Sequence, residues 1–459
     1  MQPPDPLLLA FGSSLTDDLV LAPFDVACSH AHVDALQGGS IISDACATEL
    51  HEALDQVTSE ITDGTFASFA QNSGAEDIHG AIDARVRALC VDGYGDWLHA
   101  GRSRNDQVAT TLALFAYDRA RSGSQQCIAI ARTLLAHASR ELEAGTVIAG
   151  TTHWQPAQPI ALAFWLLAAA EPFLRAARRF GSLATESIVS CPLGSAALAG
   201  TTLPLDRAAS ARRLGFTLPS RNAMDAIGNR DALVDVALGY SRAVIDASRI
   251  SSELIIWATP AFNYLRIGDA SSTGSSLMPQ KRNPDPFELI RGAAAEVLCL
   301  TNGALTSLIG LPLSYHRDLQ QTKRMGLHAI ERGATILNAF ARALTDITFV
   351  SEAMEACAKR GYTVATDIAD AMICKGVSAR YAHEFVGQSV MRAEAECRDL
   401  TLVDLHDLAD SAGIEKFSAP LDAHASVAAK ATVGSTAPWA IRVSLVSMQA
   451  ELQQLEFTE

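Results

Sequence analysis

Residues 106–144 read DQVATTLALFAYDRARSGSQQCIAIARTLLAHASRELEA, with no proline and one glycine, Gly123. Apolar side chains recur along the segment at helical spacing. Val108, Leu112 and Phe115 fall at i, i+4 and i+7, and Cys127, Ile130 and Leu134 at i, i+3 and i+7. Unbroken, the segment forms a helix roughly 60 Å long at about 1.5 Å per residue. A helix of that length exceeds an ordinary globular one and implies a long bundle.

Outward from this segment, the runs Ile160–Ser190, Ala232–Thr259, Pro286–Thr306 and Gly326–Ala353 also read as helices, each apolar on more than one face. Alanine clusters at Ala168–Ala170 and Ala293–Ala295 let neighbouring helices approach closely. A helix apolar nearly all round is buried on all sides. Several in one chain predict a bundle shared between subunits, hence an obligate homo-oligomer. Strand signals are weak and limited to two expected extended pieces, Val147–Thr152 and Ala197–Leu203. The fold class is therefore all-α. Boundaries are expected near Gly101–Asn105 and Arg360–Gly361, which divides the chain into residues 1–105, 106–359 and 360–459.

The 459 residues are 49% hydrophobic and 19% charged, with a net charge of −15. That charge argues against nucleic acid, whose phosphates need basic stripes, and against an anionic membrane surface. An anionic small-molecule substrate is still compatible where Lys, Arg and backbone N–H groups concentrate locally. The longest apolar run, Ile160–Ala170, is too short to span a bilayer, and the N-terminus lacks a basic leader region. Nine scattered cysteines without a Cys-x-x-Cys pair suit buried thiols in a reducing, cytoplasmic setting, with neither a disulfide framework nor a zinc site.

Four polar segments are not explained by helix packing: Glu76-Asp77-Ile78-His79, His99 to Gln107, Thr151 to Pro159, and Gly274 to Gly292. In the last, Pro279, Pro284 and Pro286 forbid a regular helix around Ser275, Ser276, Lys281 and Asn283. Residues 271–286 read as a mobile catalytic loop or, on composition alone, an ordinary solvated connection. Ser103, Arg104 and Asn105 stand before the long helix, where exposed N–H groups favour anions; the same residues also suit a capped helix start. His153 lies among prolines and glutamines rather than on an amphipathic stripe. Glu288, in the helix after the loop, is placed to orient a histidine or simply to face solvent. There is no P-loop, no dinucleotide fingerprint, no Gly-x-Ser-x-Gly elbow around Ser275 and no metal-ligand cluster. What is left is cofactor-free acid–base chemistry on an anion, with no metal.

Together these segments resemble the fumarase/aspartase superfamily through Gly274-Ser275-Ser276-x-Met278-Pro279-x-Lys281-x-Asn283-Pro284. Within it they resemble the argininosuccinate lyase family through Glu76-Asp77-Ile78-His79, Gly101 to Gln107, Gln280-Lys281 with Asp285, Gly310 to Tyr315, Cys191 to Gly194, Ala197 to Thr201 and Gly361 to Lys375. The resemblance implies a three-domain helical subunit, a homotetramer with a 20-helix core, active sites shared between subunits, and reversible elimination of argininosuccinate to arginine and fumarate. It implies Ser275 as the base, preferred to Ser276 by position, with Lys281 stabilising its alkoxide. His153, paired with Glu288, acts on the departing nitrogen's side. Thr152, Ser103, Asn105, Lys281 and Asn283 hold the succinyl carboxylates, and Ser29, Tyr315, Gln320 and Lys323 grip the arginine moiety. Arg104 and Ser276 join the binding set, and Asp77 faces a cationic part of the substrate.

The chain departs from the family at Thr151, Trp154, Pro156, Ala100, Gln321, Thr322, Arg324 and Cys28, and lacks the N-terminal Trp-Gly-Gly-Arg-Phe. These changes surround the amine-side pocket. They keep open a related lyase releasing fumarate from another N-substituted aspartate. Intact Ser275, His153, Lys281 and Glu288 count against a catalytically silent structural homologue.

Overall fold

Long helices follow from long runs of helically spaced apolar residues, and five of them organise the chain in a computed structural model describing residues 5–91 and 93–457. They are α1 (Arg104–Ala144), α2 (Leu162–Ser187), α3 (Asp231–Trp257), α4 (Asp285–Thr306) and α5 (Leu319–Leu344). The predicted 39-residue run is one helix, beginning two residues earlier than its sequence pattern. Ser103 caps it: its Oγ accepts the Asn105 N–H at 3.3 Å, and the Asp106 carboxylate accepts the Ser103 N–H at 3.0 Å. This is a reciprocal capping arrangement with aspartate at the fourth position. The helix stops at Gly145, whose φ of 71° is the left-handed conformation that glycine adopts at helix ends.

The all-α expectation holds, with four two-stranded pairs as the only sheets among the described residues. Val147–Thr152 is extended, as expected, and forms β1. Ala197–Leu203 is not a strand but a run of turns. Gln155–Ala161, whose end was read as helix, is instead β2, antiparallel to β1, because Pro156 and Pro159 deny the segment helical hydrogen bonds. The run read as Gly326–Ala353 ends at Leu344. Ile347–Phe349 pairs with Leu265–Ile267, and the Gly268 N–H donates to the Asp346 carbonyl at 2.8 Å.

The chain divides into two compact units. The first comprises residues up to 125, 176–245 and 293–336; the second comprises 126–175, 246–292 and those from 337 on. In the first, Phe180 of α2 and Tyr240 of α3 are fully buried with ring centroids 4.9 Å apart. Glycines admit these rings: a Cβ on Gly123 or Gly239 would stand 2.8 Å from the Phe180 ring, and one on Gly333 would stand 2.8 Å from the Tyr240 Cβ. Burying Phe180 alone contributes about 2–3 kcal/mol. In the second unit Phe340 of α5 contacts Phe173 of α2 and Phe287 of α4. A separate cluster around Ile368, Met372, Val386 and Leu405 holds the C-terminal helices together.

Pro6–Gly38 is apolar enough by composition to cross a membrane. It is broken at Ser13, which is extended, and its longest piece, Ala22–Gly38, buries ten residues in the first unit. None of the nine cysteines forms a disulfide, as expected. The expectation that all are buried fails at Cys299, Cys374 and Cys397, which lie on exposed helix or turn surface.

Candidate active site

In the first unit, a cleft of about 220 Å³ gathers residues from five separate stretches of sequence. Asp77 caps the helix Ile78–Leu89 by accepting the Gly80 N–H at 2.7 Å. Its other oxygen pairs with Arg104 Nε at 3.2 Å. Asn105 enters from the first turn of α1, Tyr315 from the turn before α5, and Gln320 and Lys323 from the first turns of α5. Lys323 is almost fully buried and sits 2.6 Å from Asp18, which is wholly buried; Ser14 Oγ bonds both, at 3.1 and 2.6 Å. Gln320 Nε2 donates to the Gly12 carbonyl at 3.0 Å, so α5 holds the N-terminal segment at the edge of the cleft.

Charge in the cleft is balanced with one exception. Arg104 pairs with Asp77, Arg317 with Glu76, and Lys323 with Asp18. Arg230 is 3% exposed and pairs with no carboxylate among the described residues. Its Nη1 donates to the Ile227 and Asn229 carbonyls, its Nε has no partner, and its guanidinium lies 5.8 Å from the Tyr315 ring centroid. Burial lowers its pKa to about 10, so it is still a cation at neutral pH. Burial in turn raises the Tyr315 phenol, keeping it a neutral donor. A buried guanidinium without a counter-ion is costly unless an anionic ligand supplies one. Arg230 also borders a second cavity of about 310 Å³ walled by Glu186, Asp225, Asp231 and Asp235, whose carboxylates suit no anionic substrate.

Two residues expected in the binding set lie elsewhere. Ser29 is fully buried on the inward side of the helix Ala22–Gly38, where its Oγ accepts Arg102 Nη1 at 3.0 Å; the serine that lines the cleft is Ser14. Ser103 is occupied as the cap of α1 and does not line the cleft.

The second unit presents the remaining expected residues on irregular backbone. His153 and Trp154 form the two-residue turn between β1 and β2, with Thr152 facing Gln155 across it. Their φ values, 53° and 63°, are positive at two non-glycine residues, where hairpin turns favour Asn-Gly. Backbone held in this region against its preference is a feature of functional sites. Thr273–Gly274 (β3) pairs with Arg282–Asn283 (β4), which closes the serine loop at its base. Ser275 turns inward: its Oγ accepts the N–H groups of Leu277 at 3.3 Å and Met278 at 3.0 Å. Ser276 and Lys281 are exposed, Asn283 Nδ2 reaches Thr273 Oγ1 at 3.4 Å, and Glu288 is exposed on the first turn of α4. Among the described residues, no hydrogen bond joins Ser275, His153 and Glu288 within one chain.

Residues 1–299 match a family model described as Lyase, and residues 362–428 match one described as Argininosuccinate lyase C-terminal. The argininosuccinate lyase of Synechococcus sp. (strain JA-3-3Ab) is 40% identical over 458 residues, covering 99% of this chain and 92% of that protein. That of Desulfovibrio desulfuricans is 38% identical over 456 residues, covering 99% and 96%. The chain belongs to the argininosuccinate lyase family. Among solved structures, EDDS lyase in complex with formate superposes with a TM-score of 0.81 at 24% identity, covering 95% of this chain and 87% of that one. A class II fumarase from Schistosoma mansoni does so with a TM-score of 0.69 at 15% identity, covering 85% and 87%. At these identities the likeness establishes the fold, that of the fumarase/aspartase superfamily.

In this argininosuccinate lyase family member, sequence reading missed Ser14, Asp18 and Arg230. Asp18 and Lys323 are 305 positions apart, and nothing local to Asp18 signals its partner. Arg230 follows Asn229 in an unremarkable polar turn, and only its burial and lack of a counter-ion set it apart. Asp18 had one faint signal, an acidic pair with Asp17 set between the apolar runs Leu7–Phe11 and Leu19–Ala22.

Proposed function

We propose that the protein catalyses the reversible elimination of argininosuccinate to L-arginine and fumarate, as a carbon–nitrogen lyase of arginine biosynthesis. The observation that carries this reading is the surplus cation in the cleft. Three ion pairs leave the Arg230 guanidinium to receive a carboxylate beside the Tyr315 ring, which fits the amino-acid end of the arginine moiety. Asp77 and Glu76 offer acceptors for cationic nitrogen, and Ser14, Gln320 and Lys323 line the same end. Ser14 takes the place first expected of Ser29. Asn105, Thr152, Ser276, Lys281 and Asn283 hold the succinyl carboxylates.

Ser275 removes the proton from the carbon next to a succinyl carboxylate. The resulting aci-carboxylate expels the nitrogen, which leaves with a proton supplied from the side of His153. A serine hydroxyl serves as base only if its alkoxide is stabilised. The two N–H groups aimed at Ser275 Oγ do this electrostatically, with Lys281 as the cation of the same loop; among the described residues Ser276 receives no such donors. Glu288 orients and charge-stabilises His153. Since, among the described residues, no hydrogen bond joins Ser275, His153 and Glu288 to one another within one chain, the reading requires copies of the chain to complete each site. Apolar side chains left exposed on α4, Leu289 at 71% and Leu298 at 37%, support such a shared bundle. The assembly is a homotetramer of three-domain subunits divided at residues 1–105, 106–359 and 360–459, with loop 271–286 as a lid. Nine thiols without a disulfide suit a cytoplasmic setting.

Fumarate release from argininosuccinate, followed by ultraviolet absorbance on purified protein, tests the reading. Wild type releases fumarate. Ser275→Ala binds substrate without turnover, and Ser276→Ala still turns over. Release only from other N-substituted aspartates would replace arginine by another amine, and activity lost only in Ser276→Ala would reassign the base.

A further inference from the structure

Asp106, the last acidic residue of the turn that opens α1, is wholly buried and belongs to no ion pair among the described residues. Its carboxylate makes three backbone contacts instead. Oδ1 accepts the Ser103 N–H at 3.0 Å; Oδ2 accepts Gly194 N–H at 3.0 Å and Ala196 N–H at 2.8 Å. It therefore ties the start of α1 to a loop some ninety positions away in sequence. The loop needs the tie, because Ala196 has a φ of 52°, a left-handed conformation that costs a residue with a Cβ about 1–2 kcal/mol.

One residue beyond Ala196, the Ala197 carbonyl accepts Asn105 Nδ2 at 2.9 Å. A carbonyl only accepts, so the amide nitrogen of Asn105 has to face it. That fixes the orientation of the carboxamide, whose remaining N–H and Oδ1 have no protein partner among the described residues, and Asn105 lines the cleft. Asp106, the loop and Asn105 thus close a ring of bonds that returns to its starting point through the backbone between residues 105 and 106.

We propose that Asp106 is a positioning residue for the reaction, acting through the 194–197 loop to fix the carboxamide of Asn105 toward the substrate's succinyl carboxylate. This deepens the lyase reading and rests on it for the identity of the substrate. Asp106 touches no substrate atom; its work is to hold Ala196, and through Ala197 the amide, in one orientation. Asparagine at 106 would be nearly isosteric, but it has one neutral acceptor oxygen where aspartate has two charged ones: it cannot accept from the Ser103 N–H and from the Gly194 and Ala196 N–H groups together, so the ring of bonds opens on one side and loosens.

A double-mutant cycle tests this, read both as kcat/KM for fumarate release and as fumarate affinity by calorimetry. Asp106→Asn and Asn105→Ala are each expected to lower kcat/KM by about 10²-fold, the scale of a misplaced catalytic group. Combined, they lose no more than the worse single variant, because both remove the same contact. Adding Ala196→Gly to Asp106→Asn returns part of the loss, since glycine holds a positive φ without help. Losses that multiply in both readouts overturn the proposal, as does an Asp106→Asn variant of full activity. An inactive wild type whose fumarate binding still shows the coupling overturns the lyase reading alone, and a wild type that neither turns over nor binds fumarate overturns both. If Asp106→Asn does not accumulate as folded protein, Asp106→Glu takes its place in the same cycle, with the same expectations: it keeps the charge but displaces the acceptor by one methylene.

Discussion

Replacing Lys323 by methionine isolates the most deeply buried ion pair beside the cleft. Lys323 Nζ lies 2.6 Å from Asp18 Oδ1 and 2.7 Å from Oδ2, and Asp18 has no exposed surface. At an effective dielectric of ~20, the gross attraction at this separation is about 6 kcal/mol, most of it offset by desolvation. Lys323→Met leaves the Asp18 carboxylate with one side-chain donor, Ser14 Oγ at 2.6 Å. An orphaned buried charge of this kind costs about 3–5 kcal/mol. Lys323→Met combined with Asp18→Leu removes the orphan and is expected to return to within about 1 kcal/mol of wild type, because an apolar pair of similar volume replaces a buried ion pair at little cost. Both variants lose fumarate release, since both empty the cleft of its ammonium. Urea unfolding followed by circular dichroism, at one fixed protomer concentration so that assembly does not shift the midpoint, measures the stability difference. A loss below about 1 kcal/mol in the single variant would refute the reasoning, as would a double variant no more stable than the single.

Arg230→Met is expected to raise KM by about 10- to 100-fold, the worth of a charge-assisted hydrogen bond, while leaving thermal stability equal or higher because an uncompensated cation has gone. A destabilised variant with unchanged KM would make Arg230 structural instead. Gly333→Ala drives a Cβ to 2.8 Å from Tyr240 and should lose about 1–3 kcal/mol, whereas Gly181→Ala, which meets nothing within 4 Å, should gain up to about 1 kcal/mol; thermal melts check both. Burial holds the His32 imidazole down to about 3, with Ala100 O as its hydrogen-bond partner at 2.8 Å. The unfolded chain takes up this proton near pH ~6.5 and the folded chain does not, so stability falls as pH drops between these values, by about 1.4 kcal/mol per unit. His32→Gln should flatten the stability–pH curve over that window, and an unchanged slope would count against the assignment.

Periodicity was enough to find the long helices, because a helix that must be buried nearly all round writes its 3.6-residue repeat into every turn; α1 shows this over 41 residues. Its failures have local physical causes. Ile160 and Ala161 are apolar enough to be read as the start of α2, but they end the proline-bearing strand Gln155–Ala161. The helix read through Ala353 stops at Leu344 because Ile347–Phe349 finds its strand partner, Leu265–Ile267, far upstream and beyond any local window. At the cleft, Asp77, Arg104, Asn105, Tyr315, Gln320 and Lys323 were legible from motif resemblance and converge in one unit. Ser29 was not a sound choice because neighbouring motif residues do not reveal which side of a helix is buried. Within a single helix that is decided by what packs against it, here Arg102.

By itself the amino-acid sequence determined that this is an all-α lyase-family chain. It also determined that an irregular, proline-bounded loop carries Ser275, since helical period and proline stereochemistry are properties of consecutive residues. Only the tertiary structure decided that Ser14 rather than Ser29 meets the cleft. It alone showed that Asp18 neutralises Lys323, that Arg230 is left without a counter-ion, and that Asp106 holds the loop steering Asn105. Those are matters of burial and pairing between residues scores to hundreds of positions apart, and a charge is balanced by its neighbours in space rather than by those along the chain.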